Sequence, residues 1–467
     1  MPKALVFIDH DMIVRHFVLS GAFRDLERAF DVTYVFNDDR TTDKKWLTVD
    51  VESLGLGRVL YTHIPRARMG SWYPFYAISV LRQQRGTPNY KGRRERMVDI
   101  SGWKRTLFYD LLSRDPFFRL ARRRYADRLG LYEPLIDLIR AEQPDLLIQP
   151  TQLNGYYINE LLLTSETLDI PFLILMNSWD NPSQKAAATG MPTRMAVWGT
   201  QTRDHAMTYM GLPAERLEII GAAQFDLYRK SVTDSDEALR KMFAVPPDLP
   251  VVLYGGVSKS INETRHLRLL DDAIADGRIA PCHILYRPHP WRGELVEGEE
   301  DFFDIEFRHV SMDPHMEAYY RRVVDTGDDK FDMADYEITR KLLHMIAGTV
   351  SSLSTIQLET TLNGKPSISF MPGADMRSKY GHSAAISARL AHFNGLWDCP
   401  GVEKCESDDD LPAAVNRLLD QAADPARRAE IREYANAFAL LEGPSYPERL
   451  RDLACEMVDA RADRAAA

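Results

Sequence analysis

Three short stretches in the second half of the sequence combine residue types that bind phosphate. Leu285-Tyr-Arg-Pro-His-Pro290 sets a histidine between two prolines. The stiffened backbone lets the ring of His289 be aimed at little entropic cost. An imidazole titrating near about 6.5 can hydrogen-bond a phosphate or protonate a leaving group around neutral pH. Arg287 adds a cation two residues earlier. Tyr254-Gly-Gly-Val-Ser-Lys-Ser260 supplies Gly255 and Gly256 for a tight turn and close ligand approach. Ser258, Lys259 and Ser260 follow to meet phosphate oxygens near a helix start. The spacing is not that of the nucleoside-triphosphate P-loop. Gly348-Thr-Val-Ser-Ser-Leu-Ser-Thr-Ile-Gln-Leu-Glu359 passes from an apolar strand to Ser351, Ser352, Ser354 and Thr355 and then to a helix. Amides and dipole at such a helix start favour an anion. Glu359, one turn beyond Thr355, suits the paired hydroxyls of a ribose.

Each stretch alone has a plain structural explanation: a glycine turn, a capped corner, a Ser/Thr helix cap. Their order at successive strand ends of one domain is what a nucleotide-sugar donor requires. The first half offers an acceptor side. Ile8-Asp-His-Asp11 follows the first strand, and Asp11 is the expected catalytic base, with Asp9 and His10 behind it. A positioned carboxylate or imidazole contributes roughly 10²–10⁴-fold to such a proton transfer. Asn177-Ser-Trp-Asp-Asn-Pro182 pairs an aromatic platform, Trp179, with the polar groups of Asn177 and Asp180 for sugar hydroxyls.

The elements that must position these residues alternate between strand and helix, the pattern of parallel α/β layers. In the first half the expected strands are Lys3–Ile8, Val32–Phe36, Asp145–Gln149, Pro171–Met176, Met195–Trp198 and Leu217–Ile220. Helices are expected near Ile13–Phe30, Leu131–Ala141, Tyr157–Thr167 and Thr202–Met210. Residues 40–130 read as an elaborated insertion. Ala-Val-Pro-Pro-Asp-Leu-Pro250 ends a helix over Asp234–Phe243 and spaces two domains. Strands then resume at Val251–Tyr254, His283–Arg287, Ile305–His309, Met345–Val350 and Ser367–Met371. Helices follow near Asp335–Leu343, Thr355–Leu362, Leu411–Gln421 and Pro425–Leu441. The expected domains are 1–228 on the acceptor side and 247–422 on the donor side, with helices in 423–467 crossing back to the first.

The second half resembles the donor-binding domain of GT-B fold glycosyltransferases. Its Arg-Pro-His-Pro and serine-pair elements are similar to the His-Pro and Ser-Ser/Ser-Thr motifs of bacterial sialyltransferases, polysialyltransferases and 3-deoxy-octulosonate transferases. Similar elements occur in teichoic-acid glycerophosphotransferases. The resemblance spans roughly residues 145–370 and implies that His289 contacts the donor nucleotide or phosphate while Ser351 and Ser352 hold the phosphate. It implies an α/β, GT-B-like fold, two Rossmann-like domains facing each other across a cleft. The third motif of those families, two acids followed by glycine, has no clean counterpart here, which leaves the base and the donor sugar open. Ser178-Trp-Asp-Asn181 and Gly221-Ala-Ala-Gln-Phe-Asp226 resemble elements of similar bacterial proteins, the latter the exit toward an interdomain hinge.

At 467 residues the chain fits two domains of about 200 residues each. Hydrophobic residues at 45% and charged ones at 27% are ordinary for a globular protein. No apolar run reaches the roughly 18 residues of a membrane span, and the start lacks a signal-peptide pattern. Four cysteines without a CxxC pair point to a reducing compartment. A cytoplasmic enzyme is therefore expected, peripheral at most to the inner face of a membrane. The net charge of −10 argues against nucleic acid as a partner. Yet residues 82–128 carry fourteen Lys and Arg against five Asp and Glu, interleaved with Tyr90, Trp103, Phe108, Tyr109, Phe117, Phe118 and Tyr125. A solvated helical face accounts for this pattern, as does a basic surface for anionic headgroups. Asp325, Asp328, Asp329 and Asp332 lack calcium-loop spacing, and no cofactor or essential metal is expected. The function expected is a metal-independent glycosyltransferase of bacterial surface polysaccharide synthesis, with a nucleotide sugar as donor and a glycan or lipid-linked glycan as acceptor. A polyol-phosphate transferase and a nucleotide-sugar 2-epimerase are the alternatives, and a non-catalytic scaffold the least favoured.

Overall fold

The computed structural model describes residues 1–37, 47–86, 90–153, 158–184, 186–258, 261–328, 335–373, 375 and 390–466. The chain divides into two compact units. Unit 1 comprises Met1–Asp226, Ser387–His392 and Phe438–Ala467; unit 2 comprises Leu227–Ile386 and Phe393–Ala437.

Unit 1 holds a seven-stranded parallel sheet of β1 (Lys3–Ile8), β2 (Asp31–Asn37), β3 (Arg58–Thr62), β4 (Leu146–Thr151), β5 (Phe172–Met176), β6 (Arg194–Val197) and β7 (Leu217–Ile219). The order is β3-β2-β1-β4-β5-β6-β7. Strands such as Phe-Leu-Ile-Leu-Met are apolar throughout because helices cover both faces. The closing helix, Tyr446–Ala466, packs Tyr446, Leu450, Leu453, Ala454 and Met457 into the core beneath β1, β2 and β4. Four further helices, α1 (Tyr73–Gln84), α2 (Tyr90–Ser101), α3 (Trp103–Leu112) and α4 (Phe117–Leu129), gather around a separate core. That core includes Ile78, Leu81, Met97, Tyr109 and Ala121.

Unit 2 holds β8 (Val251–Gly255), β9 (His283–Arg287), β10 (Val310–Met312), β11 (Gly348–Ser351), β12 (Ser367–Phe370) and β13 (Val402–Cys405). Their order is β10-β9-β8-β11-β12-β13, with all pairs parallel. In both sheets the chain starts at a central strand, builds outward to one edge, then returns to build the other side. This is the doubly wound pattern, and its point of reversal is where such sheets bind ligands.

Several expectations shift. The strand expected over Ile305–His309 lies instead at Val310–Met312, because Phe302–Asp304 forms a 3-10 turn and Phe302 enters the core beneath β9. The helix expected over Ile13–Phe30 is broken into Asp11–Ile13, a π-helical turn Val14–Val18 and Leu26–Ala29. The 40–130 segment contains β3 as well as α1–α4. Lys259 and Ser260 of the expected phosphate loop lie outside the described residues, as do Asp329 and Asp332 of the discounted acidic cluster.

Candidate functional site

The reversal point of unit 2 lies between β8 and β11, and β9 flanks β8 on its other side. Gly255, the last residue of β8, is in register with Arg287 of β9 and with Ser351 of β11. The three motifs therefore end on adjacent strands. The glycines are needed for proximity. A Cβ on Gly255 would lie 2.6 Å from Ile356 Cγ2, and one on Gly256 would lie 2.8 Å from the backbone nitrogen of His289. The Gly256 amide donates to the Arg287 carbonyl at 2.9 Å, which holds the two loops together.

His289 is partly exposed, and its Nδ1 accepts the Trp291 amide at 3.0 Å. That bond places the proton of a neutral ring on Nε2. Ser351 is fully buried, and its Oγ has no hydrogen-bonding partner among the described residues. Ser352 is also fully buried, and its Oγ likewise has no hydrogen-bonding partner among the described residues. Ser354 and Thr355 are partly exposed, at the entrance to the short helix Ile356–Leu362. Between the serines and that helix, Leu353 adopts φ 88°, a left-handed conformation that disfavours a side chain by about 1–3 kcal/mol. Ser258 closes the described part of the glycine loop. Glu359 Oε2 accepts the Tyr228 hydroxyl.

Arg287, expected as a donor ligand, is held by partners within unit 2. Only 8% exposed, it ion-pairs with Asp313 at 3.3 Å and donates to Thr339 Oγ1 at 3.0 Å. Burial would raise the Asp313 carboxyl, but the Arg287 charge and bonds from His315 outweigh it and hold the acid below its usual range. Arg287 thus ties the end of β9 to the segments beside it.

Sequence reading missed several residues that fix these loops. Glu263 starts the helix α5 (Glu263–Ala275) and accepts the Val257 amide at 2.7 Å. It is buried with Glu299 and Arg292, which pair at 2.9 Å, and it also accepts the Tyr286 hydroxyl. Burial pushes the Glu299 carboxyl up. Gln357 donates to the carbonyls of Ser351 at 2.7 Å and Ile368 at 3.2 Å and accepts Ser369 Oγ at 2.8 Å. One fully buried amide therefore fastens the serine turn to β12. His266 bridges the Tyr254 hydroxyl and Asp375, at 2.7 Å to each. The pairings run from near neighbours in the chain, Val257 with Glu263 and Ser351 with Gln357, to His266 with Asp375 far along it. The only signal was a polar residue in an apolar stretch.

In unit 1 the reversal point lies between β1 and β4. Asp9 is 4% exposed, and the Nδ1 of His10 accepts the Met12 amide at 2.9 Å. Asp11, 8% exposed, accepts Thr48 N at 2.7 Å, Thr48 Oγ1 at 2.5 Å and Val49 N at 3.1 Å, so its oxygens anchor the 48–49 segment. Asn177, at the end of β5, bonds through Oδ1 to His16 Nδ1 at 2.7 Å, an unforeseen pairing across 161 residues. Burial, then the Arg15 charge, lowers His16 to about 3. Trp179 was expected as a stacking platform. It is 1% exposed, with His392 at 4.8 Å and Phe438 at 6.2 Å between ring centroids, so it serves as packing. Asp180 Oδ1 accepts Asn181 Nδ2 at 3.1 Å within a closed turn. Asp9, His10, Asp11, Asn177 and Asp180 are thus a group of unit 1, and the phosphate-side residues a group of unit 2.

No protein-family model and no curated protein sequence matches the chain. Solved structures do resemble it. A UDP-GlcNAc 2-epimerase from Neisseria meningitidis, bound to UDP-GlcNAc, aligns with a TM-score of 0.53 at 9% identity, covering 97% of this chain and 100% of that one. A UDP-N-acetylglucosamine 2-epimerase from Rickettsia bellii aligns at 0.50 and 11% identity, covering 98% of each chain. The glycotransferase of kitacinnamycin aligns at 0.49 and 13% identity, covering 98% of this chain and 99% of that one. Identities this low speak to fold and not to activity. The fold is α/β and GT-B-like, built of two Rossmann-like units.

Proposed function

We propose that the chain is a glycosyltransferase whose unit 2 binds the nucleotide and phosphates of an activated sugar. The observation that carries this reading is the register of Gly255 with both Arg287 and Ser351 at the reversal point of the sheet. There the glycine loop, the Ser351–Ser352 turn and the His289 corner lie where an open α/β sheet takes a phosphate-bearing ligand. His289 donates from Nε2 to a phosphate oxygen, and the serine hydroxyls and loop amides take the rest of the charge. Stabilising the departing nucleotide in this way lowers the barrier because its charge grows in the transition state. Glu359 contacts the ribose, and the acceptor hydroxyl loses its proton to a group among Asp9, His10 and Asp11. No metal is assigned a role. The acceptor is a glycan or lipid-linked glycan of a bacterial surface polysaccharide. A polyol-phosphate transferase, the kind suggested by the serine and His-Pro motifs, would use the same unit 2 residues.

A second reading has specific support. Two of the solved structures that resemble the chain, at TM-scores of 0.53 and 0.50, are named as 2-epimerases, one of them bound to UDP-GlcNAc. One experiment separates the readings. The protein is incubated with UDP-, CMP-, GDP- and CDP-sugars, with and without a glycan acceptor, and both nucleotide release and sugar identity are followed. Acceptor-dependent release supports the transferase, and a changed sugar without an acceptor supports the epimerase. Binding to no nucleotide by calorimetry refutes both. His289→Ala should weaken donor binding and slow turnover at least about tenfold, the loss of one charge-assisted hydrogen bond.

A further inference from the structure

The helices α3 and α4 carry large apolar side chains on both of their faces. Thr106 and Tyr109 of α3 and Ala121 of α4 turn inward, and Tyr109 and Ala121 enter the helical core with Ile78 and Leu81. On the outward arc of α3, Trp103, Leu107 and Leu111 recur at four-residue steps and are 63%, 53% and 46% exposed. Phe108 beside them is 55% exposed, and Phe117 and Leu120 of α4 are 44% and 51% exposed. Ile100, at the end of α2, extends the patch. Half of the exposed large hydrophobic residues among the described residues thus fall within 100–120. A cluster of exposed aromatic and leucine side chains marks a contact surface, and here the protein leaves it uncovered.

The charges around this patch say what covers the other. Lys104 and Arg105 of α3, Arg114 of the connecting loop, and Arg119, Arg123 and Arg124 of α4 are all exposed. The exposed acids of 103–128 are Asp115 and Asp127; Asp115 pairs with Arg82 at 2.6 Å, and Asp127 lies 4.0 Å from Arg123. A second copy of the chain docking through the same patch would bring basic residues against basic residues. An anionic bilayer instead takes the aromatic and leucine side chains into its headgroup layer and pairs its phosphates with the arginines. We infer that the outward face of α3 and α4 is a docking surface for an anionic lipid membrane. The protein lies on the bilayer rather than crossing it, and none of the described helices is long and apolar enough to span one. This inference does not depend on the nucleotide-sugar reading.

The test is flotation of the full-length protein with vesicles of phosphatidylcholine alone or with an equal amount of phosphatidylglycerol. The protein should float with the anionic vesicles only, and raising salt from about 0.1 M to about 0.5 M should release much of it. Leu107→Asp with Leu120→Asp should reduce partitioning at least about tenfold, as should joint replacement of Arg119, Arg123 and Arg124 by Gln. Both sets are surface changes, and UDP affinity serves as a check that unit 2 is intact. Three outcomes overturn the inference. These are no preference for anionic vesicles, unchanged partitioning in both variants, and a dimer in sedimentation velocity that Leu107→Asp with Leu120→Asp dissolves while no vesicles are bound.

Discussion

Replacing Gly256 by alanine should damage the phosphate loop through contact alone. The added Cβ lies 2.8 Å from His289 N and 3.0 Å from both carboxylate oxygens of Glu263. Ordinary carbon contacts begin near about 3.5 Å. Relief requires either a shift of the His289 backbone or rotation of the buried Glu263 carboxylate away from the Val257 amide. Overpacking of this kind costs about 1–3 kcal/mol. Loss of a hydrogen bond to a charged group costs about 1.5–3 kcal/mol. Either route predicts about 2 kcal/mol, which lowers the melting temperature of a domain this size by roughly 4–8 °C. Because His289 moves with the loop, nucleotide affinity should fall by about tenfold, the equivalent of about 1.4 kcal/mol. Gly255→Ala is the matched comparison. Its Cβ meets Ile356 Cγ2 at 2.6 Å, the end of a side chain rather than backbone. Ile356→Ala should therefore partly rescue it, with a favourable coupling in the double-mutant cycle. Thermal melts and UDP titration calorimetry read all four proteins. A Gly256→Ala protein with wild-type melting temperature and affinity would refute the close-approach argument.

Gln357→Leu removes the three hydrogen bonds that join the serine turn to β12, and at about 1 kcal/mol each should destabilise the protein by about 3 kcal/mol in denaturant unfolding. Gln149 in β4 is fully buried with neither amide atom bonded among the described residues, so Gln149→Met should stabilise by about 1–2 kcal/mol; a loss instead means the amide has a partner in the folded protein. Burial holds His16 neutral down to about pH 3, whereas the unfolded chain takes a proton below about 6.5. The unfolded state binds more protons between those values, so stability should fall with falling pH by about 1.4 kcal/mol per unit from this group, present in full above 6.5 and lost toward 3. His16→Gln should flatten that part of the pH–stability curve, and an unchanged slope would place the titration elsewhere.

β8 and β9 were legible because each holds a short apolar run ending in a change of residue type, whereas β11 and β12 mix Ser, Thr and Gly with single apolar residues; the sheet order made three separate motifs into neighbours. β10 was displaced because Glu306–His309 alternates no better than the residues that form it, and pairing with β9 decides the register. The segment around α2 was unreadable for a physical reason. Only Met97 of that helix is buried, so no apolar stripe marks its period. The side-chain partners were the least accessible. Trp179 reads as a platform in sequence but is enclosed by Phe438, 259 positions later in the chain, and Arg287 reads as a phosphate ligand but meets Asp313.

On the proposed reading the unit 2 group would account for nucleotide recognition, but it cannot by itself choose between transfer and epimerisation. Phosphate and ribose contacts are common to both reactions, and one fold supports both. The choice must come from groups that reach the sugar or the acceptor. A transfer needs one base for the acceptor hydroxyl. Inversion at a ring carbon needs proton removal on one face and delivery on the other, hence two groups of distinct protonation state. Unit 1 presents carboxylates at Asp9 and Asp11 and a neutral imidazole at His16, whose Nδ1 faces the Asn177 oxygen. With the amide so oriented, His16 Nε2 is the acceptor nitrogen, yet the depth of its burial makes it a weak base. The carboxylates are therefore the groups to separate. Asp11→Asn should loosen the Thr48–Val49 anchor and lower the melting temperature, whereas Asp9→Asn should slow turnover by about 10²-fold or more with UDP affinity retained. Full turnover in the Asp9 variant, with loss confined to Asp11, would return the base to Asp11.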